Sequence, residues 1–182
     1  RKSGCDPKSI SLNFSFPPFP NDNYRYHKNL GGGAIEDLGP YAISPGRIFF
    51  KTPPLKIYSH ITDWNFSKTV PLGFTFFAIY PNNKTLIGHC GFNSEYINKI
   101  QILSEKYSIE VSRFFTIPSD LSNNLYIRSK NNNNVFKQEP EDCFLIFLNK
   151  VFSKIKNEST YNFEEHILID DKALNMLRLS ST

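Results

Sequence analysis

The segment Leu72-Gly-Phe-Thr-Phe-Phe-Ala-Ile-Tyr80, followed by Pro81-Asn-Asn-Lys84 and Thr85-Leu-Ile-Gly-His-Cys-Gly-Phe92, constrains this chain more than any other. Side chains of an extended strand alternate between faces, so Phe74, Phe76, Ala78 and Tyr80 share one face. Leu86, Cys90 and Phe92 share one face of the second run. The Pro-Asn-Asn-Lys tetrad has turn composition, so the two runs are expected to form an antiparallel hairpin. The chain can supply a core for it. It has 182 residues, 40% of them apolar and 21% charged, which argues for one ordered domain. Its 17 Phe, 9 Tyr and 1 Trp favour half-buried pleated surfaces and can also line apolar ligand pockets.

The other segments are read with the same two periodicities. Ile10-Ser-Leu-Asn-Phe-Ser-Phe alternates like a short strand, and Pro17, Pro18 and Pro20 stop it. Gly31-Gly-Gly33 lacks the Gly-Lys-Ser/Thr that completes a phosphate-cradling loop and reads as a flexible turn. Pro40, Pro45, Pro53 and Pro54 make the next stretch loop-rich, with short strands at Arg47–Lys51 and Leu55–His60. Ser94 is expected to cap a helix over 95–107, because Ile97, Ile100 and Leu103 have helical spacing. A strand is expected over 108–117, a mobile loop at Asn131-Asn-Asn-Asn134, and a strong amphipathic helix over 141–155. A strand over 161–169 and a last helix capped by Asp170-Asp171 complete the order. The fold class expected is mixed α/β (α+β): a mostly antiparallel, twisted sheet flanked by helices, with one parallel pair at a helical crossover. Residues 1–50 read as a Pro/Gly-rich region packed on a core of 51–182, in a single domain overall.

Charge and reactive residues narrow the function. The net charge is +4 and no Lys/Arg run exceeds two residues, so nucleic acid is not an expected partner. An acidic carrier protein or a phosphate-bearing small molecule suits this charge. Cys5, Cys90 and Cys143 form neither a disulfide framework nor a zinc pattern, and His27, His60, His89 and His166 are scattered, so no metal is expected. His89 and Cys90 are strand neighbours pointing to opposite faces, which argues against a nucleophilic pair. Reduced thiols point to the cytoplasm, whereas four sequons at Asn13, Asn65, Asn83 and Asn157 leave secretion open. No apolar run is long enough to span a membrane, the start lacks a signal-peptide segment, and the first residue is Arg, so the chain reads as a trimmed or processed product. The oligomeric state is left open. Glu110, Ser112 and Arg113 form the best candidate site: a carboxylate can act as a general base and an Arg can grip an anion with two hydrogen bonds. An ordinary surface ion pair accounts for the same residues.

Glu110-Val-Ser-Arg-Phe-Phe resembles the Glu-x-Ser-Arg-Phe motif of the acyl-homoserine-lactone (autoinducer) synthases, which are related to the GNAT acyltransferases. The preceding hairpin, the apolar helix after it and Ala173-Leu-Asn-Met-Leu-Arg178 follow in the order found in that family, over residues 60–180. The chain departs from the pattern at Gly91-Phe-Asn93, in having only Asp63 before the hairpin, and in Tyr24-Arg-Tyr-His-Lys28. The resemblance implies a GNAT-like enzyme that moves an acyl group from acyl carrier protein or CoA to an amine such as S-adenosylmethionine, with no permanently bound cofactor. It implies catalytic roles for Glu110 and Arg113, and substrate contacts from Asp63, Trp64, Phe76, Ser112 and Phe114. The alternative is a non-enzymatic, aromatic-rich β-sheet binding module, viral or secreted.

Overall fold

A computed structural model describes residues 6–181. Cys5 and the expectations placed on the first residues lie outside them. The described residues form eight strands: β1 Pro7–Ser15, β2 Lys56–Trp64, β3 Pro71–Tyr80, β4 Lys84–Gly91, β5 Ile97–Ser104, β6 Ser108–Ser112, β7 Asn123–Arg128 and β8 Asn133–Gln138. Their order in one sheet is β2-β3-β4-β1-β5-β6-β7-β8. Neighbours are antiparallel except β1 and β4, which run parallel. The α-helices are α1 Ala34–Pro45, α2 Cys143–Ile155 and α3 Phe163–Ser180. The architecture is α+β and mostly antiparallel, as expected. Its parallel pair is made by β1, inserted at the centre of the sheet by the long crossover that carries α1.

The hairpin of β3 and β4 has the register its alternation requires. Phe74 faces Cys90 and Ala78 faces Leu86 across it. These side chains are buried with Phe76, Tyr80, and Ile10, Leu12 and Phe14 of β1. Ile35, Leu38 and Ala42 of α1, and Ala173 and Leu177 of α3, close the core over that face. The opposite face carries Tyr58, Phe77 and Ile87, all exposed.

Several elements differ from their sequence reading. The region of Pro40 and Pro45 is helical, because Ile35, Leu38, Ala42 and Ile43 make an apolar stripe that packs on the sheet and outweighs proline's cost of about 3 kcal/mol. Arg47 to Phe50 belongs to a wide helical turn, Gly46–Phe50, not to a strand. The expected helix over 95–107 is β5: Asn98, Ile100 and Ile102 point inward at a period of two, and β1 and β6 pair on its two sides. The expected strand 108–117 ends at Ser112. Asn133 and Asn134 pair with Arg128 and Ile127 in a β7–β8 hairpin where a loop was expected. The expected strand over 161–169 is the first half of α3. Asn162 accepts from the Glu165 backbone N–H at 3.1 Å and its amide donates back to the Glu165 carboxylate at 3.2 Å, a reciprocal cap. Asp170 and Asp171 therefore sit mid-helix, and Asp170 accepts from Arg47 Nε at 2.7 Å. Helix α2 forms as expected, with Asp142 accepting from the N–H groups of Phe144 and Leu145 at 2.9 and 3.1 Å. None of its side chains is buried.

Cys90 is fully buried and its thiol is pushed well above the ordinary range by that burial. His89, on the other face, meets Thr75 Oγ1 through Nδ1 at 3.0 Å. Partial burial lowers its pKa from the ordinary value. The unfolded chain therefore takes up this proton at a higher pH than the folded one, and stability is lost as pH falls through and below about 6.5. His89→Gln is expected to flatten the decline in melting temperature between neutral and mildly acidic pH; an unchanged slope excludes His89 as its source.

Candidate active site

The chain leaving β1 folds back onto α1 through two short turns, Tyr24–Tyr26 and Lys28–Leu30. The turn closes tightly at Gly32, where a Cβ would meet the carbonyl oxygens of Arg25 and Tyr24 at 2.5 and 2.6 Å. Gly33 follows at φ 126°, a conformation that favours glycine, and opens α1. This closure lays Tyr24 and Arg25 against the first turn of the helix. Arg25 Nε donates to Asp37 Oδ2 at 2.7 Å and the Tyr24 hydroxyl donates to Asp37 Oδ1 at 3.2 Å. The Arg25 guanidinium lies over the rings of Phe19 and Tyr24, at 4.6 and 4.7 Å from their centroids. Burial, then the Asp37 charge, raise the Tyr24 pKa, with Arg25 opposing, so Tyr24 stays a hydrogen-bond donor. Asp37 also suits the positive end of the α1 dipole.

Tyr41 lies one turn beyond Asp37, and a spacing of four residues places both on one stripe of the helix. Its ring packs edge-on against Phe14 at 5.3 Å and Phe115 at 5.6 Å. Phe115 is set by Asn98, a buried amide that donates to the Phe115 carbonyl at 2.7 Å and accepts from its N–H at 3.0 Å. That clamp holds a sharp turn in which Arg113 and Thr116 take φ values of 55° and 47°. Tyr41 lines a cavity of about 480 Å³ with Thr116, Pro118, Ser119, Asp142 and Cys143. Among the described residues its hydroxyl has no hydrogen-bond partner in the protein, so the phenol can serve a ligand as donor or acceptor. Asp37, held by two donors, and Tyr41, unheld, thus stand one turn apart on α1, with Tyr41 in the cavity wall.

The residues singled out in the sequence are spread over other surroundings. Glu110 pairs with Lys99 Nζ at 2.9 Å across β5 and β6, and Ser112 is exposed at the end of β6. The Arg113 guanidinium lies 5.3 Å from the centroid of the Tyr96 ring. Phe114 packs against Phe115 and so borders the Tyr41 wall. Phe76 is in the core, beside Phe74. Asp63 accepts from its neighbour Trp64 N at 2.8 Å and from Asn93 Nδ2 at 2.6 Å. Among the described residues no group of three or more His, Cys, Asp or Glu is placed to hold a metal ion. The same residues contain no helix long and apolar enough to cross a membrane. Asp37 and Tyr41 went unread because Pro40 between them looked like a helix breaker. The available signal was Asp-x-x-x-Tyr directly after a Gly-rich turn.

Comparison with known proteins settles the lineage. Residues 5–110, more than half of the chain, match the GFO/IDH/MocA C-terminal domain. The chain belongs to the GFO/IDH/MocA C-terminal domain family. The match runs from β1 into β6 and contains both Asp37 and Tyr41. A D-xylose 1-dehydrogenase (NADP(+)) from Haloferax volcanii is 41% identical over 56 residues, which are 30% of this chain and 17% of that protein. The crystal structure of KijD10, a 3-ketoreductase from Actinomadura kijaniata, in complex with NADP and TDP-benzene superimposes with a TM-score of 0.80 at 19% identity, over 97% of this chain and 54% of that one. UDP-N-acetylglucosamine 3-dehydrogenase GnnA from Acidithiobacillus ferrooxidans gives a TM-score of 0.80 at 12% identity, over 99% of this chain and 55% of that one. The chain thus spans about half the length of these solved structures.

These findings correct the resemblance to acyl-homoserine-lactone synthases. The family is the GFO/IDH/MocA C-terminal domain, the fold is not that of a GNAT enzyme, and the relatives are named as dehydrogenases and a ketoreductase. The expected acyl transfer, autoinducer synthesis, and the substrates acyl-CoA, acyl carrier protein and S-adenosylmethionine fall with it. Glu110-Val-Ser-Arg-Phe matched by local sequence in a strand whose neighbours are those of a different sheet.

Proposed function

We propose that this chain is the substrate-side part of an NAD(P)-dependent oxidoreductase that interconverts a hydroxyl and a ketone or aldehyde on a sugar. One observation carries the reading: Asp37 and Tyr41 stand one turn apart on α1, the first clamped by Arg25 and Tyr24, the second presenting a free phenol to a cavity. Oxidation of a sugar alcohol releases a proton at the substrate oxygen and reduction of the carbonyl consumes one. Tyr41 Oη is the group of this chain suited to take or give that proton. Asp37, fixed by Arg25 and Tyr24, orients the polar edge of the site.

The chain's own Gly-rich turn does not fit a dinucleotide. The space above Gly32 is filled by the Tyr24 and Arg25 carbonyls, and that above Gly33 by the Pro71 ring. Gly32 and Gly33 serve chain packing and leave no pyrophosphate cradle above them. In this reading the cofactor is held by sequence corresponding to the half of the solved structures that this chain does not cover. Helix α2 supports such a neighbour. It exposes Phe144 and Ile155 to 77% and 69%, with Leu145, Phe147 and Phe152 between them, an apolar face of the kind that marks an interaction site. We read residues 6–181 as one folded unit to which the segment before residue 50 contributes β1 and α1.

Asp37→Asn in the complete protein is expected to lower turnover about 10²-fold through misplacement of the polar groups around the substrate. Some loss of melting temperature accompanies it, because the Arg25 and Asp37 side chains are only 22% and 18% exposed and Arg25 loses its charged partner. Steady-state kinetics beside a thermal melt checks this, and wild-type turnover in the variant removes Asp37 from the site.

A further inference from the structure

A second cavity, of about 470 Å³, opens on the other flank of α1, between the β2–β3 connection and the end of α3. Trp64 forms one wall, with 41% of its surface exposed. The wall is rigid. Asp63 holds the Trp64 backbone, and Asn65 Oδ1 accepts from the N–H groups of Thr69 and Val70 at 2.8 and 3.0 Å, closing the connection on itself. The polar lining is a fork-to-fork pair. Arg178 Nε donates to Glu36 Oε1 at 3.0 Å and Arg178 Nη2 donates to Glu36 Oε2. Lys28 completes the lining and has no carboxylate partner among the described residues. Lys28 and Arg178 against Glu36 leave the lining with an excess of positive charge.

We propose that this cavity binds an anionic sugar: a pyranose whose C–H face lies on Trp64 and whose phosphate or carboxylate is held by Lys28. An amphipathic indole presents a flat apolar face suited to such a ring. The Glu36–Arg178 fork offers both donors and acceptor lone pairs to ring hydroxyls. Lys28 is the charge that remains uncompensated until an anion arrives, and the loop already holds its shape, so little ordering is required on binding. Glu36 and Asp37 are consecutive on α1 and diverge by the helical step, Glu36 toward this cavity and Asp37 toward Arg25 and Tyr24. The inference goes beyond the proposed function, since this cavity shares no lining residue with that of Tyr41.

Trp64 is the chain's only tryptophan, so its intrinsic fluorescence reports on this cavity without interference. The full 182-residue chain is titrated with glucose 6-phosphate, glucuronate and glucose. The expected result is saturable quenching by glucose 6-phosphate, glucuronate or both, with glucose binding about tenfold or more weakly. Response to the phosphate alone or to the carboxylate alone identifies the anion. Lys28→Gln should bring the anionic sugar to the affinity of glucose while leaving the circular dichroism and the melting temperature unchanged. Equal binding of glucose and its anionic derivatives, unchanged binding in Lys28→Gln, or no quenching by any of the three overturns the proposal. The measurement needs no turnover, so its failure is separable from that of the oxidoreductase reading, which Tyr41 and Asp37 variants test.

Discussion

Tyr41→Phe is expected to cut turnover by about 10²–10⁴-fold, the usual contribution of a positioned proton donor or acceptor. The substitution removes one oxygen and keeps the ring. The contacts with Phe14 and Phe115 survive, and so does the wall of the cavity. Because the hydroxyl has no protein partner among the described residues, its loss leaves no buried group unsatisfied, and the melting temperature should stay at the wild-type value. Substrate affinity should fall far less than turnover, since a group that acts in the transition state lowers kcat and kcat/KM together. A variant that keeps wild-type kcat removes Tyr41 from the chemistry. One whose loss lies wholly in KM makes it a binding residue.

Phe74→Ala is expected to cost about 3–5 kcal/mol of stability. Phe74 has 0% exposure at the centre of the core, between Ile61 of β2 and Cys90 of β4 in the cross-strand register. Its neighbours are themselves tied into the ladder and cannot collapse into the space left by the ring. The whole stability of a domain is about 5–15 kcal/mol, so a change of this size moves the urea midpoint far toward zero. Phe77 is the control. It lies in the same strand but on the outer face, 39% exposed, and Phe77→Ala should cost a small fraction as much. Equal losses at the two positions contradict the assignment of faces.

The hairpin was legible because Phe74, Phe76, Ala78 and Tyr80 repeat at a period that only a strand satisfies. Asp142 and the apolar stripe after it were legible as α2 for the matching helical reason. Elsewhere the sequence carried two patterns at once. Ile97, Ile100 and Leu103 have helical spacing, yet Asn98, Ile100 and Ile102 have strand spacing, and pairing with β1 and β6 decides between them. Those partners lie up to 97 residues away in sequence, as Pro7 and Ser104 do, so no local window contains the deciding interaction. Tyr161 to Ile169 looked extended because Ile167 and Leu168 are exposed in α3 and add nothing to a buried helical stripe, leaving the Asn162–Glu165 cap as the helical cue. The site was obscured differently. Glu110 and Arg113 drew the eye because charges are conspicuous in an apolar strand, and Glu110 proves to be half of an ion pair with Lys99. Asp37 and Tyr41 were hidden by prolines that the packing of α1 tolerates. Trp64, expected on the substrate side, lines the cavity between the β2–β3 connection and the end of α3.

Nicotinamide absorbance distinguishes sugar oxidoreduction from acyl transfer. The complete protein is given NADPH with keto-sugars, or NADP with the corresponding sugars, beside a parallel assay for thiol release from acyl-CoA. The account predicts sugar-dependent oxidation of NADPH or reduction of NADP that collapses in Tyr41→Phe, with no thiol release. Thiol release from an acyl thioester without any nicotinamide turnover, or nicotinamide turnover that Tyr41→Phe leaves intact, would contradict it.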